Sequence, residues 1–183
     1  MENGLNSLQE NSFFRLLFGK IAKLIFTILG IGLLYIYLMS VIDHRSFPFD
    51  IIIVILALLK TIMISTTTLK QLSKMIAFCH SLKRLLWVFG LLIIITLFSF
   101  ATDYTCLHQS DPSSFVGVSV DSGPYVYYLY HFFYFSTVIF SNVGFGDISP
   151  VSESTRFIVM LEIFLSFFII VFVLANIKKI HLN

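Results

Sequence analysis

Apolar residues run along this chain in long blocks separated by short polar breaks. The first block, about Leu24–Ile42, covers about 19 residues, close to the ~20 that a helix needs to cross a bilayer's hydrocarbon core. Asp43, His44, Arg45 and Pro48 then make a polar turn, and a second block runs over about Asp50–Leu69. The turn is too short for a domain, so the two blocks predict an antiparallel helical hairpin. Lys70, Lys74, Lys83 and Arg84 crowd a basic linker with a broken apolar pattern, and a third block covers about Leu85–Ala101. A polar region, Thr102–Pro124, leads into an aromatic block, and a fourth span runs over about Thr155–Asn176 before Lys178 and Lys179. Ahead of all four lies a polar segment, residues 1–12. The mixed stretch Phe13–Lys23 then reads either as a helix lying in the membrane interface or as an extension of the first span.

Composition agrees with the pattern. Of the 183 residues, 57% are apolar and 12% charged, 21 are Phe, and mean hydropathy is +0.92. Soluble domains sit nearer 45–50% apolar and about 25% charged. The class is therefore an all-α integral membrane protein. Lys20 and Lys23 precede an apolar run longer than a signal peptide's, with no small-x-small cleavage site, so the first block reads as a span that stays.

The placement of charge matters more than its sum, a net +2 that gives no case for nucleic-acid binding. Arg15, Lys20, Lys23, the four basic residues of the linker, Lys178 and Lys179 fall on one side of the predicted spans, and only Arg45 and Arg156 on the other. Nine against two places both termini and the linker in the cytoplasm of a multi-pass cell-membrane protein. The two cysteines, Cys79 and Cys106, then lie on opposite sides and cannot pair within one chain. Cys106 would face outside, where it could join subunits or remain a lone thiol.

Tyr125 to Phe135 holds eight aromatics in eleven residues. It reads as an interfacial aromatic belt or as a rigid cuff around the loop a few residues downstream. That loop is Ser141-Asn142-Val143-Gly144-Phe145-Gly146-Asp147-Ile148-Ser149-Pro150. Non-helical backbone survives at membrane depth only where protein buries it or a water-filled path runs beside it. Gly144 and Gly146 can take backbone angles closed to other residues. The loop thus reads as backbone that coordinates something passing through the membrane. The alternative of a phosphate loop lacks a Gly-Lys-Ser/Thr and a preceding strand.

Val143-Gly144-Phe145-Gly146-Asp147 resembles the selectivity filter of potassium channels, whose usual form is Thr-Val-Gly-Tyr-Gly-Asp. Tyr134 through Ser141 is similar to the family's pore helix, Ile148-Ser149-Pro150 to its exit turn, and Arg156 through Asn176 to its inner helix. The resemblance implies a ring of carbonyls from Asn142, Val143, Gly144 and Phe145, with Gly146 completing the filter and potassium as the permeant ion. One chain supplies one wall, so it implies a homotetramer and excludes the dimeric plan with two filters per chain. Phe145 replaces the family's usual Tyr and loses its hydroxyl. Asn142 replaces a Thr, giving an amide where the family has a small hydroxyl, which puts potassium selectivity at that site in question. Asp147 implies a donor on the pore helix, and the matching position is Tyr134; the alternative is a solvated Asp147 that concentrates cations at the mouth. Val138 stands where some members carry a carboxylate.

Lys60 and Glu162 are the ionisable residues deepest in the apolar spans, and such residues are functional candidates by default. At 1.5 Å per residue they lie roughly 15 and 11 Å from the outer face, close enough to predict a salt bridge. Thr137, Ser141 or Asn142 is the rival partner for Glu162, since Leu161-Glu162-Ile163-Phe164 resembles bacterial inward-rectifier-like channels with a Glu behind the filter. Lys60 could instead reach interfacial water with its long stem. On the inner helix, Phe167, Ile170 and Leu174 share a face that either lines the cavity as a gate or packs on a neighbour. Ser166 falls where many relatives have a hinge glycine.

The expected organisation is a cytoplasmic segment over 1–23, a peripheral hairpin over 24–69, a basic linker over 70–84, a pore module over 85–177 and a cytoplasmic tail over 178–183. No span carries arginines at every third position, so a voltage sensor is not expected, and the short tail is expected to leave no ligand-sensing domain. Haem would need paired histidines within the spans; His44, His80, His108 and His181 fall at span ends, and His131 has no partner. No nucleophile or metal cluster points to an enzyme, a cofactor or a small-molecule substrate. The expected fold is four transmembrane helices plus a re-entrant pore helix and selectivity-filter loop, assembled as a tetramer in lipid. Its expected activity is passive potassium conduction, the alternative being a weakly selective monovalent cation channel.

Overall fold

The structure is a computed structural model that describes residues 19, 22–23, 25–35, 37, 49–78, 82–118 and 123–181. Helices dominate it: α1 (Ile25–Tyr35), α2 (Phe49–Phe78), α3 (Leu82–Ser110), α4 (Tyr125–Phe140) and α5 (Glu153–His181). A 3-10 turn at Pro112–Ser114 and two short strands, β1 (Phe115–Val116) and β2 (Ser149–Pro150), complete it. Stretches of α2, α3 and α5, namely Asp50–Lys70, Leu86–Ser110 and Glu153–Ala175, are long and apolar enough to cross a membrane. The helical stretch Ile25–Tyr35 is shorter than that. Most of the remainder of the expected first span lies outside the described residues, as do the segment Phe13–Phe18 and Cys79.

Each helix buries a stripe set by its sequence. On α2, Ile53, Ala57, Lys60, Thr61 and Ile64 are buried at helical spacing, while Ile51, Ile55, Leu59 and Ile62 are exposed on the opposite face. Lys60 therefore sits on the protein-facing stripe, which excludes its reaching interfacial water. α2 packs against both α3 and α5, and α3 packs against α4. The Ser110 hydroxyl donates to Asp50 Oδ1 at 3.0 Å, joining the start of α2 to the end of α3 as antiparallel neighbours.

One expected boundary needs correction. The third span does not end near Ala101. The helix continues to Ser110, and residues 99–108 are buried without a break. Hydropathy reads Thr102, Asp103, Thr105 and His108 as the start of a loop, but these side chains face protein rather than water. Thr102 and Thr105 hydroxyls donate to the carbonyls of Phe98 and Ala101 at 2.9 and 2.7 Å, which satisfies them inside the helix itself. The basic linker is likewise mostly helical, since α2 runs to Phe78 and α3 resumes at Leu82. The inner helix begins at Glu153 and runs through Lys178 and Lys179 to His181, so the expected tail is largely a continuation of α5.

The short strands place the site. β1 pairs antiparallel with β2, Phe115 opposite Pro150 and Val116 opposite Ser149. The Ser114 carbonyl accepts from Val151 N at 2.9 Å, Ser152 N at 3.4 Å and the Thr155 hydroxyl at 3.2 Å. Ser152 caps α5, its hydroxyl accepting from Thr155 N at 3.2 Å. The segment after α3 thus holds the chain where it leaves the glycine-bearing loop and enters α5.

Candidate ion pathway

α4 buries Tyr128, Phe132, Phe135 and Ser136 on one stripe. Its carbonyl end closes with a pattern that the sequence did not disclose. Asn142 N donates to Ile139 O at 2.9 Å, and Val143 N donates to Val138 O at 3.2 Å. With Asn142 at φ 56°, this is the paired closure of a Schellman motif, with Asn142 as the left-handed residue. Asn is the side chain besides Gly that takes this conformation at least cost. Its amide also turns back, Nδ2 lying 3.4 Å from Phe140 O. Asn142 is therefore first a backbone residue, ending the helix and starting the loop.

The left-handed conformation recurs at Gly144 (φ 61°) and Gly146 (φ 77°), alternating with Val143 and Phe145, which have no positive φ. Such alternation can turn successive carbonyls to one side of the strand, which an all-extended strand cannot do. Every residue from Ser141 to Asp147 is exposed on the single chain. The five expected ion-site residues, Asn142, Val143, Gly144, Phe145 and Gly146, are thus contiguous, uncovered and of alternating hand.

Asp147 has neighbours on two sides. Its interaction with the Tyr134 phenol on α4 raises that phenol's pKa from its usual value. On the other side, Gly117 (φ 92°) lies so close to the Asp147 carbonyl that only a residue without a β-carbon fits.

Behind the loop, Glu162 of α5 is fully buried. Ser136 of α4 donates to Glu162 Oε1, and the Tyr104 hydroxyl of α3 donates to Oε2 at 2.6 Å. One carboxylate ties three helices. The expected partners of Glu162 are corrected here. Thr137 lies one residue, or about 100°, around the helix from Ser136. Its hydroxyl donates to Phe133 O at 2.8 Å, and that of Ser141 to Thr137 O at 2.8 Å. Asn142 is engaged at the helix end. Lys60 does not reach Glu162 either, because Asp103 takes it: Nζ lies 2.6 Å from Asp103 Oδ1, with both side chains buried.

Sequence reasoning missed Asp103, Tyr104, Ser136 and Gly117. The signal for the first two was available: Phe100, Tyr104 and Leu107 continue a helical apolar stripe through the supposed loop. The Tyr104 ring packs edge-on against Phe115 (5.7 Å between centroids) and Phe135 (5.3 Å), and Phe115 lies 4.7 Å from Phe132. This cluster is where the aromatic block meets α3 and β1. Cys106 is corrected too: it is buried within the chain and presents no thiol at the surface.

On α5, Phe167 and Leu174 are exposed and Ile170 half-buried, and Phe164, Phe168 and Val171 widen the exposed face beyond the expected stripe. Ser166 is buried, its hydroxyl donating to Ile163 O at 2.9 Å inside an uninterrupted helix.

No curated protein and no solved structure matches the chain. Residues 113–181, from the 3-10 turn to the end of α5, match the family model described as an ion channel.

Proposed function

We propose that this chain, which carries an ion-channel family domain of the pore type over residues 113–181, is one subunit of a tetrameric, passive potassium channel. The observation that carries the reading is the alternating hand of Asn142, Gly144 and Gly146 in an exposed loop that starts at the closed end of α4 and ends against Gly117. Four such loops around one axis would present the carbonyls of Asn142, Val143, Gly144 and Phe145 in stacked rings that replace an ion's hydration shell. The C-terminal end of α4, with its partial negative charge, would face the ion from behind the loop.

Assembly follows from incompleteness. A single loop covers one side of an ion, and Val143 and Phe145 leave more than half of their surface uncovered on the isolated subunit. Neighbouring copies supply both the other carbonyls and the cover. In this reading the exposed face of α5 that includes Phe167 and Leu174 lines the cavity, with Ile170 at its edge, and could close by dewetting. The protein sits in the cell membrane with its termini in the cytoplasm, the arrangement that the basic residues favour.

A second reading, a weakly selective monovalent cation channel, is favoured by one feature. Asn142 turns its amide back toward Phe140 O, so the inner end of the filter carries no side-chain hydroxyl toward the ion. Flux into liposomes containing purified protein, with potassium, rubidium and sodium, separates the readings. A strong preference for potassium and rubidium supports the first, equal sodium flux supports the second, and no cation flux overturns both. Asn142→Thr, measured as an ion ratio, then reports how far that position sets selectivity.

A further inference from the structure

We infer that Lys60 and Asp103 are positioning residues for the filter, through which the peripheral helix α2 fixes the rotation of α3 and so holds Tyr104 on Glu162 behind α4. The inference rests on the reading of Ser141–Asp147 as a selectivity filter.

The Lys60 ammonium makes two contacts on one turn of α3, to Asp103 Oδ1 at 2.6 Å and to Ser99 O at 2.9 Å. The ring of Tyr35, from α1, lies 5.9 Å from the same nitrogen. Lys60 is 2% exposed and Asp103 not at all. A fully enclosed ion pair of this kind contributes little net stability, because desolvation offsets much of the attraction. What it supplies is geometry: two charges that cannot separate without leaving one of them unpaired in an apolar interior.

Asp103 is followed directly by Tyr104. Consecutive helical residues point about 100° apart, so one side chain meets α2 while the next meets Glu162 on α5. A helix backbone does not let the two turn independently, and any rotation of α3 that released Asp103 would move the Tyr104 hydroxyl. That hydroxyl and Ser136 share the two oxygens of one carboxylate, so a displaced Tyr104 moves the acceptor that holds α4. Ser136 lies six residues before Asn142 on the helix that ends in the loop. The path Lys60–Asp103–Tyr104–Glu162–Ser136 is thus continuous, buried and free of any mobile linker. Its first three members lie outside the stretch that matches the ion-channel family, so the device joins the peripheral hairpin to the pore domain.

The test compares wild type with Lys60→Met/Asp103→Leu, which replaces the pair with apolar residues that such interiors tolerate. Tetramer content and the potassium-to-sodium flux ratio are read on the same liposomes. We expect assembly near the wild-type level and a flux ratio lowered about tenfold, the scale of coupling carried through packed side chains. A purely structural role would change how much protein assembles and leave the ratio alone. Should the double variant not assemble, Asp103→Glu keeps the charge and lengthens its reach, and the ratio is again expected to fall. A selective wild type with an unchanged ratio in an assembled variant overturns this inference alone. A wild type that passes sodium and potassium equally overturns the potassium-selective reading and this inference with it.

Discussion

Gly117 and the carbonyl of Asp147 approach so closely that a β-carbon at position 117 would lie 1.8 Å from the oxygen. The obstacle is backbone on both sides, and Gly117 also holds φ 92°, where side chains are rarely accommodated. Gly117→Ala must therefore separate β1 from the exit of the loop. We expect a loss of at least about 2 kcal/mol in unfolding of the detergent-solubilised protein, together with loss of rubidium flux. Gly90→Ala is the control: nothing lies within 4 Å of the added carbon, and within α3 alanine should stabilise by about 0.5–1 kcal/mol. Equal effects at the two sites would remove the role assigned to Gly117.

Asn142 makes a prediction opposite to its reading as an ion-facing amide. If its backbone conformation is what matters, Asn142→Gly keeps the helix end and the loop, with stability changed by no more than a few tenths of a kcal/mol and flux retained. Asn142→Val places a β-branched residue at φ 56° and should cost about 1–2 kcal/mol. Rubidium uptake lost in the glycine variant and kept in the valine variant would return the emphasis to the amide. Asn142→Thr carries the valine's strain, so its ion ratio is the informative quantity rather than its rate.

The periodicity of apolar blocks was enough to place α2, α5 and the loop between α4 and α5, because lipid-facing residues must be apolar whatever their partners. It failed where a helix turns inward. Residues 99–108 are buried among other helices, and there Thr102, Asp103, Tyr104 and Thr105 find hydrogen-bond partners within the protein, so hydropathy no longer separates span from loop. Lys60 and Glu162 were legible as functional candidates but not as partners of others. Depth along a helix can be counted from the sequence; which of two carboxylates at similar depth faces a lysine depends on helix rotation. The loop's glycines were readable as motif, while the Schellman closure at Asn142 required the hydrogen bonds of Ile139 and Val138.

Tyr104 and Glu162 should behave as a unit. Tyr104→Phe removes one donor from an enclosed carboxyl group and should cost about 1–3 kcal/mol. Glu162→Leu strands two buried hydroxyls, Tyr104 and Ser136, and should cost more. In the double variant the stranded Tyr104 hydroxyl is gone, so the combined loss should fall short of the sum by about 0.5–3 kcal/mol. Strict additivity in thermal unfolding would mean that the 2.6 Å contact carries no coupling.

Cys106 offers a test of the extended α3 that does not depend on conduction. Were the helix to end near Ala101, this thiol would stand in an outer loop, open to reagents and to a neighbouring subunit. In the structure it is buried, beside Tyr125 at the start of α4. In a Cys79→Ser background, a membrane-impermeant maleimide should leave the folded protein unlabelled and react only after denaturation. Oxidation should give no disulfide-linked dimer on a non-reducing gel. Tyr125→Ala opens the contact between α3 and α4 at that point and should raise labelling while the β1–β2 pairing remains. Rapid labelling of the unaltered protein would place 102–110 back in a loop, and with it the Tyr104–Glu162 contact would lose its helix.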